Sequence, residues 1–188
     1  VFKSIEELKD IYYKLENNKI IEGLVLKNKS SLYIAGRKKN IWYKLKKNPK
    51  LLDVILMYAQ RGHGKRSSYY SDYTFGVWSN NSVIPIAKAY SGYTNEELEK
   101  IDKFIRGNII ASFGPVKEVK KALVVELAFD SIHKSNRHKS GLALRFPRVN
   151  KIRWDKPADE VLGLMQIKSD FKIIDLFKIF FFIIITKK

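Results

Sequence analysis

Apolar and polar positions alternate with two different periods along this chain. Ile5, Leu8, Ile11, Tyr12 and Leu15 recur at helical spacing and predict an amphipathic helix near the start. Ser4 and Glu7 precede it as S-x-x-E, the pattern of a capping box. Residues 20–27 then read as a strand, 32–35 as a short extended piece, and 41–46 as a second strand ended by Asn48–Pro49. Five further strand-like runs follow, at 54–58, 73–78, 83–90, 123–129 and 142–146. One helix interrupts them, predicted over 95–106, with Thr94 and Glu97 forming T-x-x-E at its start. No internal repeat is present.

The stretch 41–47, IWYKLKK, carries candidate chemistry. Strand alternation puts Lys44 and Lys46 on one face with Trp42, and Tyr43 and Leu45 on the other. Two ammonium groups at that spacing suit a phosphate. They equally suit an exposed edge strand protected by solvated lysines. Trp42 fits either the core or a ligand. Gly23, directly after Glu22, suits a close approach of the backbone to a ligand.

Charge narrows the class of partner. The 188 residues hold 36 Lys+Arg against 19 Asp+Glu, a formal net charge of +17. A folded domain this basic commonly meets a polyanion, with nucleic acid the first candidate and an anionic membrane surface the second. Surplus lysine also follows from an AT-rich genome. Hydrophobic residues make up 45% of the chain, enough for a real core. Without cysteine there is no disulfide, Cys-based zinc site or Cys nucleophile. His63, His133 and His138 are scattered, with nothing to pair them as metal ligands.

Three ordered motifs resemble one family. EGLVLK at 22–27, then Tyr33 with Arg37 and Lys38, then WYKLKK at 42–47 resemble the fourth and fifth nucleotidyltransferase motifs of ATP-dependent DNA ligases. LRFPR at 144–148 and IRWDK at 152–156 resemble the approach to the sixth motif and the motif itself. The likeness runs from about Ser4 to about Asp159 and looks closest to the bacterial enzymes.

The resemblance implies an α+β, mostly β chain. Residues 1–48 would be the carboxy-terminal end of the adenylation domain, 49–160 an OB-fold DNA-binding domain, and 47–50 the hinge between them. Residues 161–188 form an atypical apolar tail, either a misread end or an additional packed strand or helix. Its unbroken apolar part, 179–185, is far below the roughly 20 residues that span a bilayer.

The family's activity is the sealing of nicks through ligase-AMP and DNA-adenylate intermediates in replication, repair and recombination. ATP and Mg2+ (or Mn2+) are the implied cofactors. Nicked duplex DNA and the amino-terminal part of the same ligase are the implied partners, for a cytoplasmic, nucleoid-associated monomer with no membrane contact. The resemblance gives Lys44 and Lys46 a catalytic and nucleotide-binding role, and Glu22 a metal. Lys38 sits where many relatives carry an arginine for ATP, a role that Arg37 could take instead. Arg153, Asp155 and Lys156 would orient the ATP pyrophosphate. Arg145, Phe146 and Arg148 would meet the minor groove near the nick. Lys65 and Arg66, in the basic loop RGHGKRSSYY, suit backbone phosphates.

Each assignment has a plainer counterpart: a surface Glu22, a solvated loop at 153–156, a core Phe146. Two other functions stay open on sequence. One is a non-catalytic OB-fold module that binds nucleic acid; the other is an RNA ligase or capping-type nucleotidyltransferase. The family's nucleophilic lysine lies in K-x-D-G, which does not occur in these residues. The chain therefore reads as a carboxy-terminal piece that is inactive alone.

Overall fold

The computed structural model describes residues 2–16, 18, 21–36, 39, 41–171, 173–174 and 181–187, with Glu16, Ile174 and 181–187 described by backbone alone. Two compact units emerge, one of residues 1–48 with 176–188, the other of 49–175.

In the first unit, helix α1 (Ile5–Glu16) precedes strands β1 (Ile21–Asn28) and β2 (Trp42–Lys46). Ser4 Oγ accepts the Glu7 N–H at 3.1 Å, as the S-x-x-E pattern predicts. The Glu7 carboxylate turns instead to the Lys3 N–H, at 2.6 Å. Leu8, Ile11, Tyr12 and Leu15 pack on Phe2, Leu24, Leu26 and Leu45. Ile5, expected on that face, is 66% exposed. Residues 32–35, expected to be extended, form no strand.

β1 and β2 are antiparallel, with Gly23 opposite Lys46, Leu24 opposite Leu45 and Val25 opposite Lys44. The third strand of this sheet comes from the tail, residues 181–187, which run parallel to β1 on its other edge.

The second unit is built on β3 (Lys50–Arg61), β4 (Tyr70–Ser79), β5 (Ser82–Ala89), helix α2 (Asn95–Gly107), β6 (Ile109–Phe113), β7 (Val116–Val119) and β8 (Val124–Phe129). β9 (Ser131–Lys134), β10 (Leu142–Arg145), β11 (Arg148–Arg153), helix α3 (Leu164–Asp170) and β12 (Ile173–Ile174) follow, and the tail strand of the first unit is β13 (Phe181–Lys187).

The main sheet runs β11-β8-β3-β4-β5, all antiparallel, with β7 on the far end of β3 and β6 beyond it. β10, paired with β9, lies near β5. The curled five-strand order with its helix after the third strand is that of an OB-fold. Several stretches not foreseen as strands belong to this unit, β9 among them. The β6–β7 hairpin turns at Gly114, φ +58°, in the sequence Gly-Pro. β11 carries Arg148–Arg153 as a strand, so Arg153 ends a strand rather than floating in a loop.

The core gathers Val54, Ile55, Leu56, Tyr73, Phe75, Val77, Ile86, Leu127 and Phe129. α2 adds Leu98, Ile101 and Ile105, one helical stripe. Its N-terminus carries the full capping box: Glu97 N–H to Thr94 Oγ1 at 3.2 Å, and Thr94 N–H to the Glu97 carboxylate at 2.7 Å. Trp78 Nε1 donates to the Ala158 carbonyl at 2.7 Å, which ties the segment before α3 to β4.

Candidate nucleotide and nucleic-acid sites

The lysine strand lies as its alternation predicts. Leu45 turns toward α1 with Leu24, so Trp42, Lys44 and Lys46 take the opposite face. Lys27, opposite Trp42 across the ladder, joins them, its Nζ 4.9 Å from the indole centroid. This face gathers three lysines and one indole, all described as exposed or half-buried.

Gly23 has a reason other than the one its sequence suggests. A Cβ there would collide with the Leu45 carbonyl and lie 3.0 Å from Lys46 Cα. The close neighbour is the backbone of β2, and glycine is what lets the two motifs lie side by side. Glu22 is the extra residue where β1 slips against β13, between the pairs Ile21–Phe181 and Gly23–Phe182. Such a bulge re-aims a side chain. Lys38 and Arg37 lie outside the described residues.

The 153–156 segment is held by two carboxylates. Arg153 Nε and Nη2 donate to Asp155, at 3.1 Å and 3.0 Å. Its Nη1 lies 3.4 Å from Asp53 Oδ2, and Lys156 Nζ donates to that same oxygen at 2.9 Å. Asp155 hydrogen-bonded to Arg153 has its carboxyl held below the ordinary range, and the guanidinium is held above its own. Trp154 meets Phe104 of α2 edge to face, centroids 5.9 Å apart.

The basic loop between β3 and β4 is pinned to α2. Asp102, buried on the inner face of α2, accepts the Tyr70 N–H at 2.9 Å and Arg106 Nε at 2.6 Å. Arg106 Nη2 in turn donates to the Ser68 carbonyl at 2.8 Å. Arg61 and Arg106 both lie 5.6 Å from the Tyr70 ring, and Arg66 lies 5.4 Å from that of Tyr93. Lys65 remains exposed at the tip.

Between β10 and β11 the chain turns at Phe146, a non-glycine residue at φ +52° with its side chain 59% exposed. The Arg145 guanidinium lies 5.1 Å from its ring. Arg148 Nη1 donates to the Phe146 carbonyl at 3.2 Å and to Asp130 at 3.4 Å. An exposed aromatic thus sits in a backbone region that non-glycine residues rarely adopt.

Sequence reasoning missed Asp53, Asp102, Arg106 and Asp130. A signal existed for the first two. Asp53 interrupts the apolar run LLDVILM, and Asp102 sits on the apolar stripe of its helix. The histidines remain apart, His133 buried against Ser131 Oγ at 2.7 Å and the other two exposed. Among the described residues no three His, Asp or Glu side chains gather around a common point. Among them also, no helix is long and apolar enough to cross a membrane.

Comparison with known proteins relates the chain to a family. Residues 66–156 match the model of the "ATP dependent DNA ligase C terminal region". The chain is 44% identical over 151 residues to a probable DNA ligase of Koribacter versatilis, covering 80% of this chain and 26% of that protein. It is 41% identical over 143 residues to a probable DNA ligase of Opitutus terrae, covering 74% and 14%. The chain thus spans about a quarter or less of these relatives. The ligase domain of LigD from M. tuberculosis shares its fold with a TM-score of 0.52 and 20% identity, over 72% of this chain and 45% of that one. On the matched region and the two relatives of 44% and 41% identity, the chain carries the carboxy-terminal region of an ATP-dependent DNA ligase.

Proposed function

We propose that the chain supplies the nucleotide-phosphate and DNA contacts of a ligase that seals nicks in duplex DNA at the expense of ATP, in replication, repair and recombination. One observation carries this reading: the E-G-L-V strand and the lysine strand are adjacent and in register, with Lys44 opposite Val25 and Lys46 opposite Gly23. That register gathers Lys27, Lys44 and Lys46 on one face, a cationic surface matched to phosphate oxygens.

Nick sealing moves phosphoryl groups, so the protein's task is to position and neutralise charge. Lys44 and Lys46 hold the nucleotide's phosphates and the transferred AMP phosphate. Glu22 serves a Mg2+ (or Mn2+) ion. With no three carboxylate or imidazole donors gathered among the described residues, such an ion would take its other ligands from phosphate and water, the habit of Mg2+. That ion would supply charge neutralisation at the phosphates. Arg153 and Lys156 meet the polyphosphate of ATP, and Asp155 orients Arg153. Lys65 and Arg66 meet backbone phosphate, and Phe146 lies in the minor groove with Arg145 beside it. Arg148, through its bond to the Phe146 carbonyl, shapes the wedge as well as adding charge.

The partners are nicked duplex DNA and an amino-terminal adenylation segment of the same ligase, in a cytoplasmic, nucleoid-associated setting. The test is nick sealing by this chain mixed with a separately made amino-terminal adenylation fragment, comparing wild type with Lys44→Ala. Sealing by wild type and its loss in Lys44→Ala is the expected result. Absence of sealing together with salt-sensitive duplex binding would leave a non-catalytic DNA-binding module.

A further inference from the structure

Asp53 stands on β3, an interior strand of the main sheet, 103 positions before the lysine that it binds. Two cations converge on one of its oxygens: Lys156 Nζ at 2.9 Å and Arg153 Nη1 at 3.4 Å, both on Oδ2. The other oxygen, Oδ1, is buried and accepts no hydrogen bond among the described residues. The three side chains are largely withdrawn from solvent, at 16%, 20% and 25% exposure for Asp53, Lys156 and Arg153. Asp53 therefore engages both cations through half of its accepting capacity.

The two carboxylates on Arg153 differ in what they belong to. Asp155 is 64% exposed and lies two residues from Arg153, so it stays with the arginine wherever that segment goes. Asp53 belongs to the sheet. Lys156 follows the end of β11 in a turn closed by its own N–H on the Arg153 carbonyl, at 3.3 Å. Among the described residues, the contacts to Asp53 are the side-chain ion pairs that fasten this turn to β3. A phosphate group presents more oxygens and more charge than one carboxylate oxygen, and charge-assisted bonds to it are strong.

We infer that Asp53 is the resting counter-ion of the Arg153–Lys156 pair, and that a polyphosphate engages this pair by displacing the Asp53 carboxylate. Asp53 thereby weakens polyphosphate binding and sets how readily the segment leaves the sheet. The inference rests on the reading that Arg153 and Lys156 meet polyphosphate.

The experiment titrates inorganic tripolyphosphate into the full 188-residue chain by calorimetry. Asp53→Asn, which is nearly isosteric, should bind about tenfold tighter than wild type, the effect of one competing charge-assisted bond. Asp10→Asn, the same charge change at an exposed site on α1, should bind as wild type does. Adding Lys156→Met to Asp53→Asn should abolish the gain. An Asp53→Asn chain that binds no tighter than Asp10→Asn, or a gain that survives Lys156→Met, would overturn the proposal. The wild-type chain offers a check independent of any variant's folding. The 13Cγ resonance of Asp53 should move along the same saturation curve as the heat, and a static resonance at saturation would also overturn it. Failure here with nick sealing intact removes the role of Asp53 alone. Success here without sealing keeps the anion site and removes the ligase reading.

Discussion

The Arg148 guanidinium donates to the carbonyl oxygen of Phe146 at 3.2 Å and so braces the one exposed aromatic held in a left-handed backbone among the described residues. Phe146→Gly should leave the melting temperature unchanged or raised, since glycine adopts φ +52° without strain. The same change should weaken binding to nicked duplex. Arg148→Ala should lower the melting temperature by about 2–4 °C, through a lost hydrogen bond worth about 1 kcal/mol. Calorimetric melting and nicked-duplex titration of both variants check this; full duplex affinity in Phe146→Gly would rule out the wedge.

Gly23→Ala should disrupt the pairing of β1 with β2 specifically. The added methyl meets the Leu45 carbonyl and Lys46 Cα, both backbone atoms. Overpacking of this kind costs about 1–3 kcal/mol. Amide exchange should quicken across Leu24–Leu26 and Tyr43–Leu45, while β3 and β8 keep their protection.

Asp102→Ala should destabilise the second unit and loosen the basic loop together. It strips the buried Tyr70 N–H of its acceptor and releases Arg106. An unsatisfied buried donor costs about 1–3 kcal/mol. Urea unfolding should show a lower midpoint at unchanged slope. A midpoint within error of wild type would mean that Tyr70 finds another acceptor.

Lys65→Ser with Arg66→Ser should cut the dependence of duplex affinity on salt. Each lost phosphate contact removes about one unit from the slope of log affinity against log salt. Binding measured from low to physiological salt tests this, and an unchanged slope would place the loop away from the DNA backbone.

Burial raises the phenol of Tyr73 well above its ordinary range, and Tyr93 is raised by the same cause. A raised folded value favours the protonated native state. The stabilisation is full below the ordinary tyrosine range and is lost as pH climbs through it, because the unfolded chain gives up its proton first. Ultraviolet titration should show these two phenols ionising only with alkaline unfolding. Their smooth titration in the folded chain, before any loss of far-ultraviolet dichroism, would contradict the burial.

The local elements were legible in the residues themselves. The two caps, at Ser4 and Thr94, the α1 and α2 stripes, and the separation of Lys44 and Lys46 from Leu45 all follow from spacings of two to four residues. Short-range backbone geometry decides them, and it repeats wherever the residues repeat. The ordered motifs likewise placed the family, because their residue types and sequence order survive without knowledge of contacts.

Tertiary structure decided what lies far apart in sequence. It set Gly23 against the backbone of β2, and paired 181–187 with β1. It also joined Asp53 to Arg153 and Lys156, and Asp102 to the basic loop. No periodicity encodes those partners. A carboxylate inside an apolar run announces that a cation must meet it, since an unpaired buried charge is costly. Which cation meets it is chosen by the strand order that brings β11 beside β8 and β8 beside β3.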